Sequence, residues 1–256
     1  MKKTLKTKNC VKEENNQVSQ QGKFYNFDIK SLTVRCKEDL KNFKTFIEYI
    51  NVELKEFQIL QGLLKKTKGQ QRKQKTLSEV KRKSQTYGPL YDEIKKEVSN
   101  PYLKVVKNQI FHLRTVLWKD TIISVDKKKL FLDNNLNSIQ STGKLYDGVI
   151  ILLENFKITI EVSIKMILLI QKILIGDQVD KCELKQQLIN LSKTLSEKGN
   201  ATYQSRCNLE NCVYQRVTIR DEIIHTYSTI KHVFDDFNKL LINVYSVLKI
   251  NIAKRF

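Results

Sequence analysis

Proline and glycine are scarce, 2 and 8 residues in a chain of 256. Sandwiches and barrels turn often and need more of both, so the scarcity points away from β architectures and toward long helices with few loops. Acidic residues are in deficit, 27 against 46 Lys and Arg, which leaves a formal net charge of +19. Such a surplus suits polyanions: RNA, DNA or an acidic membrane face. Arginine is itself sparse beside lysine, so an A+T-rich genome enriching Lys, Asn and Ile at exposed sites accounts for the surplus equally well. No stretch is apolar enough to cross a bilayer. The most hydrophobic one, 149–175, is interrupted by Glu154, Lys157, Glu161, Lys165 and Lys172 and reads as a buried amphipathic helix.

Other absences narrow the chemistry. No glycine-rich phosphate loop, HExxH, zinc-finger spacing or Ser-His-Asp order is present, so neither a cofactor nor a metal is expected. The 5 cysteines, Cys10, Cys36, Cys182, Cys207 and Cys212, are odd in number and scattered. That argues against a disulfide framework and fits reduced thiols in a cytoplasmic protein. The first 21 residues are rich in Lys, Asn and Gln without an apolar core, unlike a secretory leader. The Asn200-Ala201-Thr202 sequon therefore carries no weight.

What is present is a normal globular content, 41% hydrophobic and 29% charged residues. Residues 1–27 read as a flexible basic tail. From Ile29 to Leu64 apolar residues recur at helical spacing: Leu40, Phe43, Phe46, Ile50, Leu54, Phe57 and Leu60. Residues 65–83 are cationic and read as a solvated segment. Gly88-Pro89 marks a break, helical pattern resumes over 90–98, and Asn100-Pro101 starts a helix reaching about Trp118. The runs Thr121–Val125 and Leu130–Leu132 predict a small hairpin. Gly143 precedes a long helix over 144–175, and another over 181–198 stops at Gly199-Asn200. The expected fold is all-α, an antiparallel helical bundle with a long C-terminal helix. Its organisation is a tail (1–27), an N-terminal helical region (28–143) and a helical core (144–256); 28–256 as one domain is the alternative.

The last helix has the clearest pattern. Ile219, Ile223, Tyr227, Ile230, Phe234, Phe237, Leu241, Val244 and Leu248 step by three or four throughout. This stripe fixes the direction of the core, and His225 then points roughly 160–200° away from it. Asp221 and His232 lie along the same polar side. Arg220 flanks the stripe, with its stem on the core edge and its guanidinium free to reach outward. The chain holds 3 histidines, so one beside an arginine in this arrangement invites scrutiny.

The string Arg220-Asp221-Glu222-Ile223-Ile224-His225-Thr226-Tyr227 resembles the R-x4-6-H motif of the HEPN superfamily, all-α domains found in prokaryotic toxins and RNA-targeting defence proteins. The likeness extends to the R-x4-H-x-Y subset, paired with nucleotidyltransferase antitoxins. It covers eight residues, within a compatible helical framework over about 144–256. It implies a metal-independent endoribonuclease, toxin or antiviral effector, that acts as a homodimer with two motifs lining one cleft. By resemblance His225 is the base, Arg220 the phosphate clamp and Asp221 a supporting residue, and Tyr227 is a modification target for such an antitoxin. The residue types suit that chemistry. Histidine titrates near working pH and accepts the proton of a ribose 2′-OH. The arginine guanidinium stays cationic and binds phosphate oxygens in pairs.

Each feature also has a plainer reading. His225 is an exposed histidine on a solvated face, Tyr227 a ring at the core edge, and the chain a non-catalytic helical module that contacts nucleic acid or a protein partner. His112, Arg114 and Trp118 fall within two turns, either as a base-stacking face or as an ordinary amphipathic helix.

Overall fold

The computed structural model describes residues 28–65, 99–126, 135–175, 181–213 and 216–250. They form five helices: α1 (Ile29–Lys65), α2 (Pro101–Asp126), α3 (Asn135–Ile175), α4 (Lys181–Cys212) and α5 (Val217–Val247). No strand occurs among the described residues, so the fold is all-α. At 1.5 Å per residue, the 41 residues of α3 reach about 60 Å.

Side-chain pairs give the helix directions. Phe46 meets Phe156 and Phe57 meets Tyr146, so α1 and α3 run antiparallel. Asn155 donates to Ser205 while Gly148 lies against Leu209, so α3 and α4 do likewise. Lys185 donates to the Leu248 carbonyl and Tyr203 faces Tyr227, which makes α4 antiparallel to α5. Gln109 reaches Glu222 and Asp120 reaches Arg216, so α2 is antiparallel to α5. Only α1 and α2 run parallel among these neighbours, joined by Tyr49 donating to the Lys107 carbonyl and by Arg114 with Glu53. The closest contacts run in the order α1–α3–α4–α5–α2, with slighter contacts of α2 to both α1 and α3, around one cluster of buried side chains drawn from all five.

The start of α2 follows its sequence. Asn100 Oδ1 accepts from the backbone N–H groups of Tyr102 and Leu103 at 3.0 and 3.1 Å, and Pro101 occupies the first turn, where its missing donor costs nothing. Asn42 on α1 in turn accepts from Ser99 and Asn100.

Three expectations are corrected. Thr121–Val125 is not a strand but the last turns of α2: Thr121 Oγ1 donates to the Leu117 carbonyl at 2.7 Å and pairs with the Tyr146 hydroxyl. Packing there overrides the β-branched composition. Leu130–Leu132 lies outside the described residues. Gly143 sits inside α3, which begins at Asn135. Gly199-Asn200 sits inside α4, which continues to Cys212. A glycine costs a helix only about 1 kcal/mol, too little to end one that is packed along its length. The expected tail (1–27), the cationic segment 65–83 beyond Lys65, which ends α1, and the helical pattern at 90–98 lie outside the described residues.

Candidate functional site on the last helix

Helix α5 carries the motif, and its buried face differs in detail from the stripe. Thr226 and Thr229 are buried, at 0% and 6% exposure, whereas Tyr227 and Phe234 are only partly so. The threonines are tolerated because they satisfy themselves within the helix: Thr226 donates to the Glu222 carbonyl and Thr229 to the Thr226 carbonyl. The centre of the buried arc thereby moves toward α2. His225 is exposed, as expected, but stands about a third of a turn from that centre rather than opposite it. It occupies the α2 edge of the open face.

Asp221 is the open neighbour on the same side. Its side chain is 59% exposed, one turn before His225. Arg220 lies on the other flank, 32% exposed, and turns across the face: its Nη2 and Nε stand 3.3 and 3.4 Å from Asp221 Oδ1. These are long, single-oxygen contacts at the surface, contributing about 0–1 kcal/mol. A phosphate competing for the guanidinium thus displaces little. Arg220 and His225 are themselves about 140° apart round the axis and about 7.5 Å along it on a regular helix. The described contacts join Arg220 to Asp221; none joins it to His225.

Packing against α2 adds groups that the motif does not contain. Glu222, half-buried between the two helices, accepts from Gln109 Nε2 at 2.7 Å and pairs with His112 Nε2 at 3.2 Å. His112 keeps 58% of its side chain exposed. The cluster His112, Arg114 and Trp118 is divided by the fold. Arg114 and Trp118 are buried, at 6% and 7%, and Arg114 pairs with Glu53 at 2.8 Å on the far side of α2. They form no stacking face; His112 alone reaches the motif. Spacing within α2 carries no signal for this, because it depends on which face meets α5.

At the head of α5, Arg216 holds Asp120 at 2.8 Å and Thr142 at 3.3 Å, and as the N-cap residue it makes no side-chain cap hydrogen bond. Tyr227 belongs to the opposite flank. Its ring lies 5.9 Å from Tyr203, the Arg206 guanidinium sits over both rings, and Glu210 holds that guanidinium at 2.9 Å. Burial pushes the Tyr227 phenol above its ordinary pKa, with Arg206 pulling the other way. Tyr227 also lines a cleft of about 430 Å³ between α3, α4 and α5, with Gly199, Tyr203 and Phe234 in its wall and Lys231 and Asp235 beside them.

Among the described residues no three His, Cys, Asp or Glu side chains group as metal ligands, and none of the helices is long and apolar enough to cross a membrane. Cys36 is buried, and burial pushes its thiol up to about 11, so it is a packing residue rather than a nucleophile. Compared with protein-family models, curated proteins and solved structures, the chain matches none of them.

Proposed function

We propose that the chain is a HEPN-like, metal-independent endoribonuclease, a toxin or antiviral effector that cleaves RNA through Arg220, Asp221 and His225. The observation that supports this reading is the open face of α5: His225 is exposed, and beside it Asp221 draws the Arg220 guanidinium across the helix. His225 acts as the base on a ribose 2′-OH, and Arg220 neutralises charge building on the phosphorane. The head of α5, with its positive dipole end, and the net charge of +19 favour the same anionic substrate. The wide angle between Arg220 and His225 favours a homodimer, in which one copy's histidine faces its partner's arginine across a shared cleft. Tyr227, on the other flank, is then the site where a nucleotidyltransferase-type antitoxin silences the enzyme.

The test is direct. Purified wild-type chain is expected to cut RNA to 2′,3′-cyclic phosphate and 5′-hydroxyl ends in the presence of a chelator, and Arg220→Ala and His225→Ala are each expected to lose at least about 100-fold. Light scattering is expected to report a dimer. RNA left intact by the wild-type chain across salt and pH overturns the reading. A second reading, a helical module that binds nucleic acid or a protein partner, draws on the carboxylates already seated on Arg220 and His112. It expects RNA bound but uncut, with affinity falling steeply as salt rises.

A further inference from the structure

We propose that His112, on α2, is the second catalytic residue of this site: the general acid that protonates the departing 5′-oxygen while His225 serves as the base. This rests on the ribonuclease reading above. It comes from the packing of α2 on α5 rather than from the motif, which ends at Tyr227 and contains one histidine.

Glu222 is the hinge of the geometry. It precedes His225 by three positions, so the two side chains rise from neighbouring points on one face of α5, with Cβ atoms about 5–6 Å apart. Its Oε1 also lies 3.2 Å from His112 Nε2, and its Oε2 accepts from Gln109 at 2.7 Å. Two imidazoles thus flank one carboxylate at the same edge of the bundle, both open to solvent. Three histidines exist in the whole chain, and the fold brings two of them to this edge from helices separated by about a hundred residues. Glu222 Oε1 stands within ion-pair distance of His112 Nε2, so the carboxylate favours the ring at this edge, and the other ring nitrogen, Nδ1, is the one assigned the proton exchange. Glu222 and Gln109 are positioning residues, fixing the ring without touching substrate.

The step balances without any further reagent. His225 takes the proton of the 2′-OH, the 2′-oxygen forms its bond to phosphorus, and the bond from phosphorus to the 5′-oxygen breaks. The electron pair leaves with that oxygen, which takes a proton from Nδ1 of doubly protonated His112. His112 ends neutral, its ring still beside Glu222, and His225 ends protonated. Exchange with water resets both. The products are a 2′,3′-cyclic phosphate and a 5′-hydroxyl. An unassisted alkoxide is a poor leaving group, and a positioned acid is worth about 10²–10⁴-fold in rate.

A leaving group that needs no proton separates the two roles. Wild type, His112→Ala, His112→Gln and His225→Ala are each given a normal RNA dinucleotide step and the same step with sulfur in place of the bridging 5′-oxygen. His112→Ala and His112→Gln are expected to lose at least about 100-fold on the oxygen substrate and to recover to within about 10-fold of wild type on the sulfur one. His225→Ala fails on both. His112 is mostly exposed, so circular dichroism of the variants matches wild type. Equal losses on both substrates, or cleavage of normal RNA at the wild-type rate, overturn the role of His112 while leaving the ribonuclease reading intact. Normal RNA uncut by the wild-type chain overturns that reading and this role together.

Discussion

The same pair of residue types, an arginine and a carboxylate, occurs in two settings on this bundle, and the contrast separates architecture from function. Between α1 and α2, Arg114 Nη1 lies 2.8 Å from Glu53 Oε2 with both side chains less than a tenth exposed. At the surface of α5, Arg220 meets Asp221 at 3.3 Å with the side chains 32% and 59% exposed. The first pair has given up water on both sides and survives on good geometry and its neighbours. The second has given up little and can exchange its carboxylate for another anion. A buried pair reports itself through stability when it is broken; an open one reports itself through binding or chemistry.

The sharpest way to break the comparison is to remove Arg114. Arg114→Met leaves the Glu53 carboxylate in a low-dielectric seam and is expected to cost about 3–5 kcal/mol of unfolding free energy in urea titration. The pH dependence gives a second check. Burial already holds the Glu53 carboxyl above its ordinary pKa, with Arg114 pulling it down. A carboxyl raised in the fold contributes stability at low pH that is lost as pH rises through its folded pKa. Without Arg114 the folded pKa rises further, so the deficit of the variant grows as pH rises above the ordinary carboxylate range and shrinks as pH falls back toward it. A deficit unchanged by pH means that lost packing of the arginine stem, not the stranded charge, is the cause.

Glycines give the next contrast. A Cβ on Gly148 would stand 2.5 Å from Leu209 Cδ2 and 2.9 Å from its Cγ, whereas one on Gly199 meets nothing within 4 Å. Leu209 is fully packed, so Gly148→Ala is expected to cost about 1–3 kcal/mol. Trimming the obstacle in a Gly148→Ala/Leu209→Ala double variant should give less than the sum of the two single costs, a coupling that a thermal melt can read. Gly199→Ala runs the other way, raising stability by about 0.5–1 kcal/mol through helix propensity alone. Destabilisation there would show that the cleft lined by Gly199 needs its open wall.

These positions also show what a sequence carries and what it does not. The all-α class was legible in the scarcity of Gly and Pro, and the start of α2 in Asn100-Pro101, because both act locally. The ends of α3 and α4 were not: a glycine is a weak local signal, and Gly143 and Gly199 lie within helices whose stability comes from packing. Thr121–Val125 has the composition of a strand, yet Thr121 is held by Leu117 and Tyr146 in a helix. At the candidate site, the exposure of His225 followed from the stripe, although two buried threonines moved its direction. The pairing of His112 and Gln109 with Glu222 was invisible, since 113 residues separate Gln109 from its partner and only the docking of α2 on α5 joins them.

The smallest effect on stability belongs to the open pair, and it decides most about function. Arg220→Ala removes a contact at the surface, and His225→Ala removes a side chain that faces solvent. Neither leaves a buried group stranded, and both alanines favour the helix, so each variant should unfold within about 0.5 kcal/mol of wild type. If catalysis resides here, cleavage falls at least about 100-fold against that unchanged background. A pair retained for architecture gives the reverse pattern, a measurable loss of stability with nothing lost in RNA chemistry. The two measurements on one set of variants therefore place Arg220 and His225 on one side or the other of the divide that Arg114 and Glu53 define.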